Sequence, residues 1–296
     1  MDIEIIGAAI NLGANRLGVE SGYRVLDSEL DLSSIFYRHT LKNCSEVKAK
    51  SFVDVQSNDP LMINKDEIFE FNKQLADKVL NALSAKHFPI IIGGDHVLSW
   101  GSISGVAAHY QEIGCIYIDA HGDFNTAELS PSHNVHGMHM AYLMGLDDSE
   151  YVNFYRKGNK LKKENVYFVG TRSLDAGEME LARINNLNIQ TTREILEQGI
   201  IEVTCKLLQK IEDSNVQNFH ISLDIDVIDP VICPGTGVPE PDGIGVENVL
   251  YLLENLLRTG KIVSIDVVEF NPFLDKNNAT LNICNDILNT VAINLL

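Results

Sequence analysis

The chain has 296 residues, 45% of them hydrophobic, and carries a formal net charge of −18 at pH 7. That length can bury a sizeable core, and the acidic balance argues against general affinity for nucleic acid or anionic membrane while remaining compatible with cationic small molecules. There is no apolar run long enough to span a bilayer, Met1-Asp-Ile-Glu4 lacks the basic start of a signal peptide, and Cys44, Cys115, Cys205, Cys233 and Cys284 form neither a metal nor a disulfide pattern, so a reducing cytoplasm is the expected compartment.

In chain order, short apolar runs alternate with longer amphipathic ones, a rhythm that predicts a three-layer α/β/α architecture with a mostly parallel central sheet. After the N-terminal segments Ile5-Ile-Gly-Ala8 and 12–19, a polar connection runs over 43–58 and a helix is expected over 65–83. The strand Pro89-Ile-Ile-Ile92 breaks at Gly93-Gly94, whose freedom suits a tight turn delivering Asp95-His96, and a helix is expected over 96–109. Next comes the strand Gly114-Cys-Ile-Tyr-Ile118, ending in Asp119-Ala-His121-Gly-Asp123, and a second polar connection over 147–163. The strand Val166-Tyr-Phe-Val-Gly170, a helix over 192–211 and the strand Phe219-His-Ile-Ser-Leu223, ending in Asp224-Ile-Asp226, follow. A helix over 246–257 and the strand 262–268, with Glu269 after it, complete the pattern. Nothing divides the chain, and 1–296 reads as a single domain.

Three strand ends carry chemistry. In the two aspartate motifs a ligating side chain recurs every second residue, so strand alternation is expected to turn Asp119, His121 and Asp123, and likewise Asp224 and Asp226, onto one face. So many carboxylates in one place repel one another unless a cation compensates them. His96 adds a second imidazole, and the charges of four carboxylates balance two divalent ions. Oxygen-rich ligation with a minority of imidazole suits manganese better than a thiolate-preferring zinc site. Two such metals, roughly 3.5–4 Å apart, can share a water, lower its pKa and direct it at an electrophilic carbon.

These residues resemble the ureohydrolase family of arginases, agmatinases and their relatives. The resemblance runs through Leu12-Gly-Ala-Asn-Arg-Leu-Gly-Val19, Gly93-Gly-Asp-His96, Asp119-Ala-His-Gly-Asp-Phe-Asn125, Asn134-Val-His-Gly-Met138, Ser222-Leu-Asp-Ile-Asp-Val-Ile-Asp-Pro230 and Asp266-Val-Val-Glu-Phe-Asn-Pro272. It implies a dinuclear manganese centre held by His96, Asp119, His121, Asp123, Asp224 and Asp226, and hydrolysis of a guanidinium group to urea and an amine. Ligands shared between the two metal positions would come from His96, Asp119, Asp123 and Asp224 or Asp226, with His121 completing one position.

The resemblance is greatest to arginases. It implies that Asn125, Ser132 and Asn134 receive an α-carboxylate, that Asp175 pairs with an α-amino group and Glu178 does so more distantly. Glu269 would orient the guanidinium, Asp123 would relay a proton and His136 would shuttle protons to solvent. L-Arginine is the implied substrate, and a homo-oligomer, trimer or hexamer, the implied assembly. Three departures stand out. Pro239-Glu-Pro241 resembles the agmatinase version and follows Val238, where a threonine is usual. His139 takes the place of the proline common in arginases, and His133 that of a small residue. Where arginases often carry an arginine for an intersubunit ion pair, the chain reads Gly243-Ile-Gly-Val-Glu247. An agmatinase or other guanidino-acid ureohydrolase, and a non-catalytic metal-binding member, are the alternatives left open.

Overall fold

The apolar runs form the middle of one parallel sheet in the computed structural model, which describes residues 1–14, 16–51, 54–55, 57, 59–147 and 149–296. Asn15 of the 12–19 motif, positions 52, 53, 56 and 58 of the first polar connection and position 148 of the second lie outside the described residues. The strands are β1 (Asp2–Ala9), β2 (Thr40–Lys48), β3 (Phe88–Ile92), β4 (Gly114–Ile118), β5 (Val166–Thr171), β6 (Asn188–Thr191), β7 (Phe219–Asp224) and β8 (Ile262–Val268). They are ordered β2-β1-β3-β8-β7-β4-β5-β6, and every pairing is parallel.

Strands β3, β4, β5 and β7 are buried along their whole length, as near-continuous apolar strands covered on both faces must be. Alternation along each strand divides the core into two layers. Ile90, Ile92, Ile116, Ile118, Ile221 and Leu223 pack on one side. Their neighbours Ile91, Cys115, Tyr117 and Phe168 pack on the other.

Helices α1 (Gly22–Glu29), α2 (Leu32–Ile35), α3 (Lys65–Ser84), α4 (Ser99–His109), α5 (His139–Met144), α6 (Ala176–Asn185), α7 (Thr192–Gln198), α8 (Ile200–Asp213), α9 (Val246–Leu257) and α10 (Ala279–Asn294) cover these faces. In α3 the residues Ile68, Phe71, Leu75, Val79 and Leu83 recur at three- and four-residue spacing and line one stripe of the second layer. Each such side chain contributes roughly 1.5–3 kcal/mol by leaving water. The first layer is closed by α8, α9 and α10, through Val203, Leu207, Leu252 and Ile287 among others.

Two expectations are corrected. The helix expected over 192–211 is two helices, because Gly199 takes φ 86° and ψ 148° between α7 and α8. That backbone is open almost only to glycine, so Gly199→Ala should destabilise the fold by about 1–3 kcal/mol, read as a lower urea midpoint. An unchanged midpoint would contradict the assignment. The connection expected from residue 43 instead begins inside β2, an exposed edge strand whose polar sequence carries no apolar run.

Strands β3, β8, β7 and β4 are consecutive neighbours, so their carboxyl ends lie side by side at the centre of one sheet edge. Ligand sites of open α/β sheets form at such strand ends. His96, Glu269, Asp224 and Asp119 each stand at, or just beyond, one of these four ends.

Candidate metal centre and substrate pocket

The turn after β3 uses Gly93 at φ 86° and Gly94 at φ 80°, and a Cβ on Gly94 would lie 2.5 Å from Ala8 O. It places Asp95 so that its carboxylate accepts from Val97 N at 3.0 Å and from Ala14 N at 2.7 Å. The N-terminal loop is thereby tied to the turn that carries His96.

Strand pleating is not what brings the aspartate motifs together. Strand β4 stops at Ile118, Asp123 takes φ 54°, and Ile225–Val227 is a short 3-10 helix. Convergence comes from two matching turns, in which each leading aspartate accepts from the backbone two residues on. Asp119 Oδ1 accepts from His121 N at 2.6 Å, and Asp224 Oδ1 from Asp226 N at 2.8 Å. The every-second-residue spacing is therefore that of a side-chain-closed turn.

All six expected ligands come together. His96 Nδ1 lies 2.7 Å from Asp119 Oδ2, 3.2 Å from Asp224 Oδ2 and 3.5 Å from Asp123 Oδ2. His121 Nδ1 lies 2.9 Å from Asp226 Oδ2 and 3.4 Å from Asp119 Oδ1. Two groups of potential ligand atoms result, His96 with Asp119 and Asp123, and His121 with Asp119 and Asp226, so Asp119 belongs to both. Asp119 is fully buried, and its Oδ2 has no partner in hydrogen-bonding geometry.

The electrostatics show what the cluster needs. Burial, reinforced by neighbouring aspartates, pushes the carboxyls of Asp123 and Asp224 well above the ordinary carboxylate range and raises that of Asp226. Burial would lower His96 and His121, yet the surrounding aspartates hold both imidazoles well above their usual value. Burial also opposes ionisation of Asp119, but His121 and His96 keep its carboxyl low. Joint ionisation of these carboxylates calls for added positive charge, and the donor set fits a pair of divalent cations. Cation binding must displace protons held by these groups, so affinity should rise with pH through neutrality and fall in acid. Titration calorimetry of chelator-stripped protein in buffers of different ionisation enthalpy should register net proton release, and no release would contradict this arrangement.

Glu269 and His136, expected at the reacting end, form a third group together with Asp95, for which the sequence suggested no role there. Glu269 follows β8 with φ 69° and is 1% exposed; its Oε1 accepts from His96 N at 2.8 Å, whereas its Oε2 is buried and unpartnered. Burial and the carboxylates of Asp224 and Asp95 push its carboxyl well up. His136 is lowered by burial, leaving a neutral imidazole at neutral pH.

The expected recognition residues sit further out. Ser132 and Asp175 are exposed, Asn134 is half-buried and Asn125 is buried. Asn125 Nδ2 donates to Asp175 Oδ2 at 2.9 Å, and Ser132 Oγ accepts from Asn134 N at 3.2 Å. Glu178 is a buried brace: its carboxylate accepts from Phe124 N at 3.1 Å and Asp175 N at 2.9 Å, and burial raises its carboxyl to about 7. It joins α6 to the loop after β4.

Other residues escaped the sequence reading. Glu240, in the segment that departs from arginases, brings Oε1 to 3.5 Å from His121 Nε2, a carboxylate on the outer face of a ligand histidine. Arg172 fastens that segment by donating to Pro241 O, Glu240 O and Asp226 O, each at 2.8 Å. His96 Nε2 meets Ser222 Oγ at 2.9 Å, and behind it Asp266 Oδ2 accepts from Ser99 and Ser102. Tyr117 touches both His96 and Asp123. Apolar strand pattern alone could not mark these contacts, though the polar residues His220 and Ser222 inside β7 were a visible signal of something to satisfy.

The sequence profile of the Arginase family matches residues 1–293. The arginase of Bacillus subtilis (strain 168) is 35% identical over 286 residues, covering 94% of this chain and 93% of that protein. The crystal structure of Bacillus caldovelox arginase superposes with a TM-score of 0.91 at 31% identity, over 98% of both chains. An Entamoeba histolytica arginase solved in complex with L-ornithine superposes with a TM-score of 0.88 at 28% identity, over 98% of this chain and 99% of that one. With this coverage and the metal-ligating cluster at its sheet edge, the chain belongs to the arginase family.

Proposed function

We propose that the protein hydrolyses the guanidinium group of L-arginine to L-ornithine and urea, with two Mn2+ ions held by His96, Asp119, His121, Asp123, Asp224 and Asp226. The observation that carries this reading is the buried, unpartnered Oε2 of Glu269 beside the ligand cluster. An acid held in that position suits a planar, permanently charged cation that can donate from two nitrogens. The bound ions would supply an activated water and stabilise charge developing at the attacked carbon.

The chain's own groups do the rest. Glu269 binds the guanidinium and fixes its plane, which converts attack into a positioned, effectively unimolecular step. Asp123 accepts a proton from the attacking water and returns it to the departing amine. His136, neutral and half-buried, passes protons between the site and solvent. Asp175 pairs with the α-amino group at the rim, while Asn125, Ser132 and Asn134 bond the α-carboxylate. Glu178 holds Asp175 and the Phe124 backbone in place.

A second reading, agmatine as substrate, is favoured by Val238 and by Glu240 against His121. Urea release from arginine, agmatine and 4-guanidinobutyrate by the Mn-loaded protein separates the two. Arginine should be cut preferentially; cleavage of agmatine and not arginine would overturn the roles given to Ser132, Asn134 and Asp175. No urea from any of them, with two metals bound, would favour the non-catalytic alternative. We place the protein in the cytoplasm, on its five unpaired thiols, and expect one domain assembled as a trimer or hexamer, which light scattering on the eluting protein tests.

A further inference from the structure

Behind the ligand cluster lies a buried polar pair that the reaction does not use. Tyr117, at 0% exposure on β4, stacks its ring on His96, with centroids 4.6 Å apart and planes 3° from parallel. Its hydroxyl donates to Asp123 Oδ2 at 2.5 Å and lies 3.0 Å from His96 Nδ1 and 3.2 Å from His139 Nε2. Among the described residues it is the one hydrogen-bond donor to the Asp123 carboxylate, and Asp123 sits in a left-handed backbone conformation outside any regular element.

His139 is also fully buried, at the start of α5. Its Nδ1 lies 2.7 Å from His136 O, and a carbonyl can only accept, so Nδ1 carries the proton. In the neutral ring Nε2 is then an acceptor. The single Tyr117 proton therefore has two acceptors within reach, Asp123 Oδ2 and His139 Nε2. A cation at Asp123 competes for the same carboxylate oxygen, and without His139 the displaced hydroxyl would be left unsatisfied in a site closed to water, at a cost.

We propose that Tyr117 and His139 form a positioning pair behind the metal centre: the Tyr117 hydroxyl presets Asp123 and packs His96, and His139 Nε2 accepts that hydroxyl when a cation claims the carboxylate. The pair acts through the ligands and touches no substrate. It rests on the metal-centre reading above. Outer partners of metal ligands typically govern affinity by about 10–100-fold.

The test is Mn2+ affinity of the full chain, measured by competition with a chelating indicator, alongside the melting temperature of the chelator-stripped protein. Tyr117→Phe should weaken binding by about tenfold or more, because an Asp123 carboxylate no longer held in place costs more affinity than the freed Oδ2 returns. His139→Leu should weaken it as well, and His139→Gln, whose amide oxygen can accept, should recover most of the loss. In the Tyr117→Phe background His139→Leu should add little, because the hydroxyl it serves is gone. Binding within twofold of wild type in Tyr117→Phe, additive losses in the double variant, or a lowered melting temperature with unchanged affinity would each overturn the pair. Failure of the wild-type chain to bind Mn2+ would instead overturn the metal-centre reading and the pair with it.

Discussion

Asp123→Asn is expected to lower urea release from L-arginine by roughly 10²–10⁴-fold, the range for losing a positioned proton-transfer group. Asp123 is 6% exposed, and its carboxylate lies 3.5 Å from His96 Nδ1 in the group that includes Asp119. The amide keeps the size but loses the charge that would bind a cation and the basicity that would take a proton. Metal analysis of the variant should show less than the full complement of two ions per chain. Near-normal turnover would remove Asp123 from both roles. Tyr117 can still donate to the amide oxygen, so the melting temperature of the chelator-stripped variant should stay near that of the wild type, which separates lost activity from unfolding.

Glu269→Gln separates substrate binding from stability. Glutamine preserves an acceptor for His96 N but removes the negative charge facing the guanidinium. Truncating one member of a buried charged pair costs about 2–5 kcal/mol, so kcat/KM for arginine should fall by about 30- to 4,000-fold. Stability should move the other way. The Glu269 carboxyl is raised by burial and by Asp224 and Asp95, so ionising it is harder in the folded state than in the unfolded one. Its contribution to stability is complete below the ordinary carboxylate pKa and is lost as pH rises through the raised folded value. Glutamine cannot ionise, so chelator-stripped Glu269→Gln should match or exceed the wild type in urea midpoint at neutral pH and above. A variant with unchanged kcat/KM, or one less stable at pH 8 than the wild type, would contradict this placement of Glu269.

The sequence made the chemistry easier to see than its geometric cause. Strand β4 ends where its apolar run ends, because burial on both faces of a parallel sheet favours apolar residues, and β8 does so although the buried Ser264 and Asp266 interrupt its run. Edge strands β2 and β6 carry no such run and were invisible for the same reason. The six side chains that come together could be picked out from their types and spacing, yet the spacing reflects turns closed by Asp119 and Asp224 side chains. Of the partners that steady them, Glu240 on His121 and Ser222 on His96 meet only through tertiary packing, across 126 residues in the second case, and Tyr117 reaches Asp123 only because the turn after β4 folds back over six residues. Glu178 illustrates the opposite limit. Its place near the α6 N-terminus was legible, and its two backbone bonds show a residue that positions Asp175 from within.

Depth orders the site chemically. Glu269 and the expected metal ligands other than the half-buried His121 occupy the buried floor, whereas Ser132 and Asp175 stand exposed at the rim. A substrate with a cationic guanidinium at one end and a zwitterionic amino acid at the other matches that gradient from floor to rim. Agmatine keeps the guanidinium and an ammonium but lacks the carboxylate.

Stepwise addition of Mn2+ to chelator-stripped protein, followed through urea release from L-arginine, tests whether two cations are needed to hydrolyse arginine. Activity should be negligible without the ion and reach a plateau at two equivalents per chain. Full activity in the stripped protein, or no urea once two ions are bound, would rule out a two-cation arginine hydrolase.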